Sequence, residues 1–392
     1  MLGVPLLAEL IDALDDWYPP ATAESWDAVG LGCGDPAEPV GRVLLAVDCV
    51  PATVAEAIDN GAGLLLTHHP LLLSGIRSVA ADTPKGALLH RMIRAGVAHF
   101  VAHTNADVAA GGVSDALAER LALLDCRPLQ PDPRPALDQL SVYVPLPDTD
   151  RLIAALAEAG AGAIGNYTEC AYVTEGVGQF RPQPGADPAE GEVGVLHHGP
   201  ENRVTMVLPR TRRAAVLAAM RAAHPYEEVA FELTEQPPLP AGTGSGRVGR
   251  LPEPMSLAAF TDYVCQRLPR TAWGVRAAGR PDQQIRTVAV CGGSGAGYLP
   301  DARRAGADAF LTSDLKHHVS SEAVAEPAGL LPELALLDAA HWATERPWLD
   351  RVAAQLSADL GIPGTASDLD TDPWTLQVAS SQLPQLAKEP RS

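Results

Sequence analysis

Two adjacent histidines, His68 and His69, close the apolar run Ala62-Gly63-Leu64-Leu65-Leu66-Thr67. A buried strand that stops at a polar pair delivers those side chains to the carboxyl edge of a sheet, where open α/β sheets bind their ligands. In the first half of the chain, His103 and Asp107 follow another strand-like run. In the second half, Asp314, His317 and His318 follow one such run, and His341 and Glu345 follow the next. His103 to Asp107 and His341 to Glu345 share the spacing H-x-x-x-[DE], which on a helix places both residues on one face. Neutral imidazole with carboxylate suits Zn, Mn, Fe, Co or Ni. A carboxylate can also bridge two metals, and two-metal sites hold their ions about 3.5–4 Å apart.

Other polar groups read differently. A second histidine pair, His197-His198 in the segment HHGPEN, reads as a surface hairpin turn. His90 and His99 sit among apolar residues and read as packing histidines. His103 has two readings, as a ligand or as a group that orients one. The turn Cys291-Gly292-Gly293-Ser294-Gly295-Ala296-Gly297 follows the strand Val288-Ala289-Val290. Its backbone N–H groups are candidates to cradle phosphate, with a tight turn as the alternative. It lacks the G-K-[ST] of a P-loop and the spacing of a dinucleotide fingerprint.

The elements that must position these groups recur. Residues 42–70 and 286–318 both run strand, turn, helix, Gly-Ala, strand, Thr, polar cluster, and the HTNAD and HWATE segments that follow each precede a helix. Two βαβ-containing halves imply α/β architecture with a mostly parallel sheet and helices on its faces. Pro/Gly-rich stretches at 127–135 and 235–254 bracket an insert, and a third at 181–192 reads as a loop within it. Inside the insert, strand-like Ser141–Val144, a helix over Thr149–Ala159 capped by Asp148 or Thr149, β-rich Tyr167–Val173, strand-like Arg203–Leu208, a helix over Thr211–Ala223 and strand-like Val229–Leu233 give the order βαββαβ, the ferredoxin-like split. The expected organisation is residues 1–130 as the first half of a metal-binding α/β domain, 138–236 as the α+β insert, 248–378 as the second half, and 379–392 as a frayed tail.

With 392 residues the chain can build large cores, and 46% apolar composition fits a soluble protein. No apolar stretch reaches membrane-spanning length, and the acidic start (Glu9, Asp12, Asp15, Asp16) is unlike a signal peptide, so no membrane partner and a cytoplasmic location are expected. A net charge of −19 repels phosphate backbones, which argues against nucleic acid as a partner. Cysteines 33, 49, 126, 170, 265 and 291 form no C-x-x-C pair and read as buried free thiols.

Five blocks carry a resemblance to a known family: Glu24-Ser25-Trp26-Asp27-Ala28-Val29-Gly30-Leu31, Leu66-Thr67-His68-His69-Pro70, Ala102 to Asp107, Leu311 to His318, and Asp338 to Glu345. Together they resemble the Nif-three-like dinuclear metal-centre family, also labelled GTP cyclohydrolase 1 type 2 homologues. The insert is similar to that of the family's long form, with a PII- or CutA-like fold, marked here by Gly165-Asn166-Tyr167, Gly176 to Pro182 and His224-Pro225-Tyr226-Glu227-Glu228. The last of these also reads simply as a helix end running into a strand.

The resemblance implies two divalent ions per chain, with metal ligands His68, His69, Asp107, His341 and Glu345. Glu345 would bridge, His68 and His341 would share one ion, and His69 and Asp107 the other. It also implies a toroidal homohexamer. One departure is Ala28, where the family usually has Asn. The expected activity is metal-assisted hydrolysis of a small molecule, possibly a nucleotide such as GTP. His103 and His318 are candidate proton shuttles, and Lys316 with the Gly-rich turn a candidate phosphate holder. The alternative is a non-enzymatic metal protein: a reservoir, a metal-insertion factor or a regulatory scaffold.

Overall fold

Strands buried on both faces need apolar side chains at every position rather than at alternate ones. Four strands of the first half show how this works: β1 (Gly30–Cys33), β2 (Val43–Ala46), β3 (Leu64–Thr67) and β4 (Ala98–Val101). Every residue of β2, β3 and β4 is buried. Their side chains alternate between two cores: Val43, Leu45, Leu64, Leu66 and Phe100 pack to one side, and Leu44, Ala46 and Leu65 to the other. The computed structural model describes residues 4–133, 136–237, 240–325 and 333–378; the expected tail from Ala379 lies outside them.

The helices of this half are α1 (Leu7–Trp17), α2 (Pro51–Asp59), α3 (Pro84–Ala95), α4 (Thr104–Val108) and α5 (Val113–Arg120). The chain then continues through β5 (Leu124–Pro133). It divides into two compact units, residues 1–132 with 242–392, and residues 133–241.

The smaller unit runs β6 (Leu137–Pro145), α6 (Thr149–Glu158), β7 (Tyr172–Phe180), β8 (His197–Pro209), α7 (Arg213–Ala223) and β9 (Phe231–Glu235), in the order βαββαβ. Its antiparallel sheet has the order β7-β8-β6-β9. Leu140, Val142, Val204 and Met206 meet Leu152, Leu156, Val216 and Met220 in one core. Three local readings change. Neither Asp148 nor Thr149 caps α6 through its side chain; Asp148 instead pairs with Arg151 at 2.6 Å. The segment before Tyr172 precedes the strand rather than forming it. His197-His198 is not a turn: both lie in β8, opposite Phe180 and Gln179.

The larger unit resumes with β10 (Pro240–Ser256), α8 (Leu257–Arg267), β11 (Val275–Ala278), β12 (Gln284–Val290), α9 (Leu299–Arg304), β13 (Ala309–Ser313), α10 (His317–Ala325), β14 (Ala335–Ala339), α11 (His341–Leu360) and β15 (Gly364–Ala366). Two sheets result, β1-β4-β3-β2-β15 and β11-β14-β13-β12-β10-β5. In each, three central strands are parallel and an antiparallel strand flanks the last of them. Each sheet also borrows a strand from the other half of the chain: β15 pairs with β2, and β5 joins β10. The division between the two units falls within the stretches at 127–135 and 235–254, as expected, although their described residues are largely strand.

The inner faces of the two sheets share one core, in which Leu45, Leu66 and Phe100 from one and Val288, Leu311 and Leu337 from the other pack with Trp348 and Leu349 of α11. All six cysteines are free; Cys49 and Cys291 are buried, but Cys126 and Cys265 are exposed, against the expectation that all are inside. Among the described residues, no helix is long and apolar enough to cross a membrane.

Candidate metal centre

The carboxyl ends of β3, β4, β13 and β14 deliver His68 and His69, His103, Asp314 and His341, respectively, to one place. The backbone N–H groups of His68 and His69 still bond to Ala46 and Val47, so the sheet ladder fixes the pair just beyond the last strand residue. His341 opens the twenty-residue helix α11, and Glu345 follows one turn later on the same face, with His341 Nε2 2.9 Å from Glu345 Oε1.

Glu345 is the hub. It is 2% exposed, and it lies 3.4 Å from His68 Nε2 and 3.2 Å from His69 Nε2. Asp107 joins from α4, 3.7 Å from His68 Nε2. Asp107 stands beside His68, and two compact clusters result among the described residues, His68 with His69 and His103, and His69 with His341 and Glu345. His103 packs beside both adjacent histidines, its ring centroid 5.1 Å from His68 and 5.5 Å from His69. His318 is not brought in. It lies exposed near the start of α10, its ring against His317. Lys316 is also exposed.

Each imidazole is held by its other nitrogen. His68 Nδ1–H donates to the Ala102 carbonyl at 2.9 Å, His69 to Asp48 at 2.7 Å, His103 to Asp27 at 2.8 Å and His341 to Asp314 at 2.7 Å. Such partners fix the tautomer and ring direction and leave Nε2 facing inward. Asp27 is itself held by the N–H and hydroxyl of Thr104 and by the Ala28 N–H. The Ala28 side chain makes no hydrogen bond there. Asp314 adopts φ +57°, a left-handed conformation that Asp tolerates better than most residues. Substituting Asn for Asp48 or Asp314 is expected to weaken metal retention about 10–100-fold, read by competition with a chromogenic chelator. Retention at the wild-type level would show that these carboxylates do not tune the rings.

Asp48 and Asp27 were not singled out from sequence as ring partners. Asp48 gave a signal that was there to be used, since it lies two residues beyond an apolar strand, as Asp314 lies one residue beyond another.

The Gly-rich turn after β12 walls the site. A Cβ at Gly293 would sit 2.5 Å from Glu345 Oε1 and 3.1 Å from His341 Nε2, and its φ is +62°. Gly293→Ala is therefore expected to displace Glu345 and cut metal content sharply, by elemental analysis. The N–H groups of Gly293 and Gly295 donate to Thr344 and Thr312 hydroxyls at 2.9 and 2.8 Å. These two donors are committed to the fold rather than turned toward a phosphate.

Electrostatics follow from crowding. Burial opposes charge on every ring, but Glu345 together with Asp48 raises His69 to about 10, and Glu345 with Asp314 raises His341 to about 11. Burial likewise opposes the Glu345 carboxylate, yet His69, His68 and His341 together hold it well below its ordinary range. Desolvation lifts Asp107 to about 6, against the pull of His68. His99 differs from all of these: burial lowers it to about 4, and its Nε2 lies 2.8 Å from the Thr67 hydroxyl, which in turn donates to the His69 carbonyl. It packs under the site.

The donor set fits divalent transition metals. Four imidazoles present Nε2, two carboxylates accompany them, and both oxygens of the buried Glu345 carboxylate face imidazole nitrogens, Oε1 those of His68 and His341 and Oε2 that of His69.

Comparison with known proteins agrees with this frame. The profile of Duf34/NIF3 (NGG1p interacting factor 3) matches residues 5–373. The GTP cyclohydrolase 1 type 2 homolog of Mycobacterium tuberculosis is 49% identical over 94% of this chain and 97% of its own length. The Bacillus subtilis protein of the same name is 37% identical over 94% and 97%. Among solved structures, a Bacillus cereus protein related to NIF3 is 34% identical with a TM-score of 0.68, covering 95% of this chain and all of that one. On the profile match across nearly its whole length, the chain belongs to the Duf34/NIF3 family.

Proposed function

We propose that His68, His69, Asp107, His341 and Glu345 hold two divalent transition-metal ions and that the protein is a metal-dependent hydrolase of a phosphorylated small molecule, GTP being the first candidate from the names of its relatives. The observation that carries the reading is the set of imidazoles with Nδ1 engaged and Nε2 turned toward the buried Glu345 carboxylate, whose Oε1 faces His68 and His341 and whose Oε2 faces His69. The distances favour His68 with Asp107 on one ion and His69 with His341 on the other, Glu345 between them.

Two ions there would polarise a substrate oxygen and make water acidic enough to ionise near neutral pH. His103 is the better placed proton carrier of the two candidates. Burial, with His68 beside it, lowers its pKa, so its Nε2 accepts a proton at neutral pH while Asp27 holds the ring. Beside His69 and His341 opens a cavity of about 510 Å³ that Trp273, Arg276 and Trp374 also line, room for a small substrate.

A second reading, a non-enzymatic metal reservoir, insertion factor or scaffold, draws on a specific observation: the Gly293 and Gly295 N–H groups are spent on Thr344 and Thr312, and Lys316 is exposed, so the phosphate holders expected from sequence do not assemble beside the histidines. Under either reading the two halves of the larger unit are a pseudo-repeat, the insert belongs to the PII/CutA-like class, and the protein assembles as a cytoplasmic homohexamer.

Elemental analysis followed by a panel of nucleotides, phosphate esters and cyclic amides tests the proposal. About two ions per chain with turnover of one substrate is expected; full metal occupancy with no turnover across the panel would leave only the scaffold. Because His69 and His341 hold protons at neutral pH, metal loading must displace them. Calorimetric titration of metal-free protein at neutral pH should give heats that scale with the buffer's ionisation enthalpy, and apparent affinity should rise with pH toward about 10. Buffer-independent heats would contradict the cluster's electrostatics.

A further inference from the structure

Two segments of residues 133–241 play no part in the metal centre, Gly176 to Pro182 and His224 to Glu228, and they meet around one cavity of about 310 Å³. Phe180 and Tyr226 form an aromatic corner, with centroids 5.7 Å apart and planes at 62°. His197 backs the Phe180 ring at 5.0 Å. The Tyr226 hydroxyl donates to Glu201 Oε1 at 2.9 Å, and its N–H donates to His224 Nδ1 at 3.0 Å. His224 Nε2 is in turn anchored on the Tyr143 carbonyl at 2.8 Å. Tyr226 is thus fixed at both ends.

Glu201 pairs with Gly176 across the sheet, and its carboxylate folds back over Gly178, where a Cβ would lie 2.0 Å from Oε2. Gly178 therefore leaves the space in which that carboxylate lies beside the aromatic corner. Glu227 and Glu228 add to the acidic wall, and Glu227 accepts the Asp187 N–H at 3.0 Å. Arg181, the basic group in the lining, directs its guanidinium to the Gly194 carbonyl at 2.7 Å.

Aromatic faces and carboxylates attract the same kind of ligand, since the ring quadrupole and the carboxylate both favour positive charge. An anion entering here would meet three carboxylates. The volume matches the small end of ligand pockets. We propose that this cavity binds a small organic cation, an alkylammonium head carried on a short apolar body, at a site separate from the metal centre.

The test is calorimetric titration of the full chain with choline and putrescine as probes, beside their neutral isosteres, the carbon analogue of choline and butanediol. At least one cation should bind in the millimolar range or tighter, and at least about tenfold more tightly than its isostere. Glu201→Gln, and separately Glu228→Gln on an exposed side chain that the fold does not need, should each weaken that cation severalfold; Phe180→Ala should abolish its binding. His68→Ala should leave it unchanged, which keeps this site distinct from the fate of the metal proposal. Equal affinity for cation and isostere, indifference to both Glu variants, or no binding of either cation up to high millimolar concentration would overturn the assignment.

Discussion

Glu345→Ala is expected to reduce transition-metal content from about two ions per chain to near zero, measured by elemental analysis after gel filtration. Among the proposed ligands, Glu345 contacts His68, His69 and His341, so one truncation removes the shared partner of three rings. The variant should also change the protonation of the metal-free site. Without the carboxylate the imidazoles lose a charge that raises them, although Asp48 and Asp314 still support His69 and His341; the buffer-dependent heat of loading should vanish along with the loading. Glu345→Gln keeps the shape and removes the charge. It should likewise lose metal while retaining the wild-type melting temperature more closely than Ala. Wild-type metal content in either variant would sink the proposed centre.

The second large effect lies behind the site. Arg247 is 2% exposed. It donates to both oxygens of Asp115 at 2.5 and 2.8 Å and to the carbonyls of Gly244, Gly246 and Ala109 at 2.6, 2.7 and 2.9 Å. Arg247→Met removes the counter-ion of Asp115, which keeps only the Gly111 N–H, and a donor from three carbonyls, a loss of about 3–5 kcal/mol. In a unit of this size that lowers Tm by roughly 10 °C. Ala109 ends the short helix that carries Asp107, so metal affinity should weaken as well. Arg250→Met, which breaks an exposed pair with Asp125, is the control and should change stability by no more than about 1 kcal/mol. A Tm shift no larger than the control's would show that the Arg247 network contributes little.

What could be read from the chain follows from where the information resides. Val43–Ala46, Leu64–Thr67 and Val288–Val290 are legible because strands buried on both faces are continuous apolar runs bounded by turn residues. The flanking strands Gly30–Cys33, Val275–Ala278 and Gly364–Ala366 have four residues or fewer and no alternation; they exist because a neighbouring strand offers a ladder, which sequence does not display. Pro128 and Pro131 made β5 look like a break, yet as the outer strand of its sheet it tolerates residues that lack a donor.

The site divides along the same line. His341 and Glu345 are a local pattern, four residues apart on one helix. The hydrogen bonds that His69 and His103 give to Asp48 and Asp27 span 21 and 76 positions; the place of Asp48 just beyond an apolar strand marks it as a residue of the sheet edge, but nothing local says which ring either carboxylate orients. The proximity of Asp107 to His68 rather than His69 is likewise a matter of how α4 leaves the sheet, not of spacing.

The asymmetry of the ring anchors has a consequence for metal choice. His68 leans on a neutral backbone carbonyl, whereas His69 and His341 each lean on a carboxylate. In the proposed arrangement one position offers a single imidazole with two carboxylates, and the other offers two carboxylate-backed imidazoles that share Glu345. The first is the harder, oxygen-rich environment and the second the softer, nitrogen-rich one. Under that proposal the two positions would differ in the cations they favour, the Asp107 side offering more oxygen and the His341 side more nitrogen.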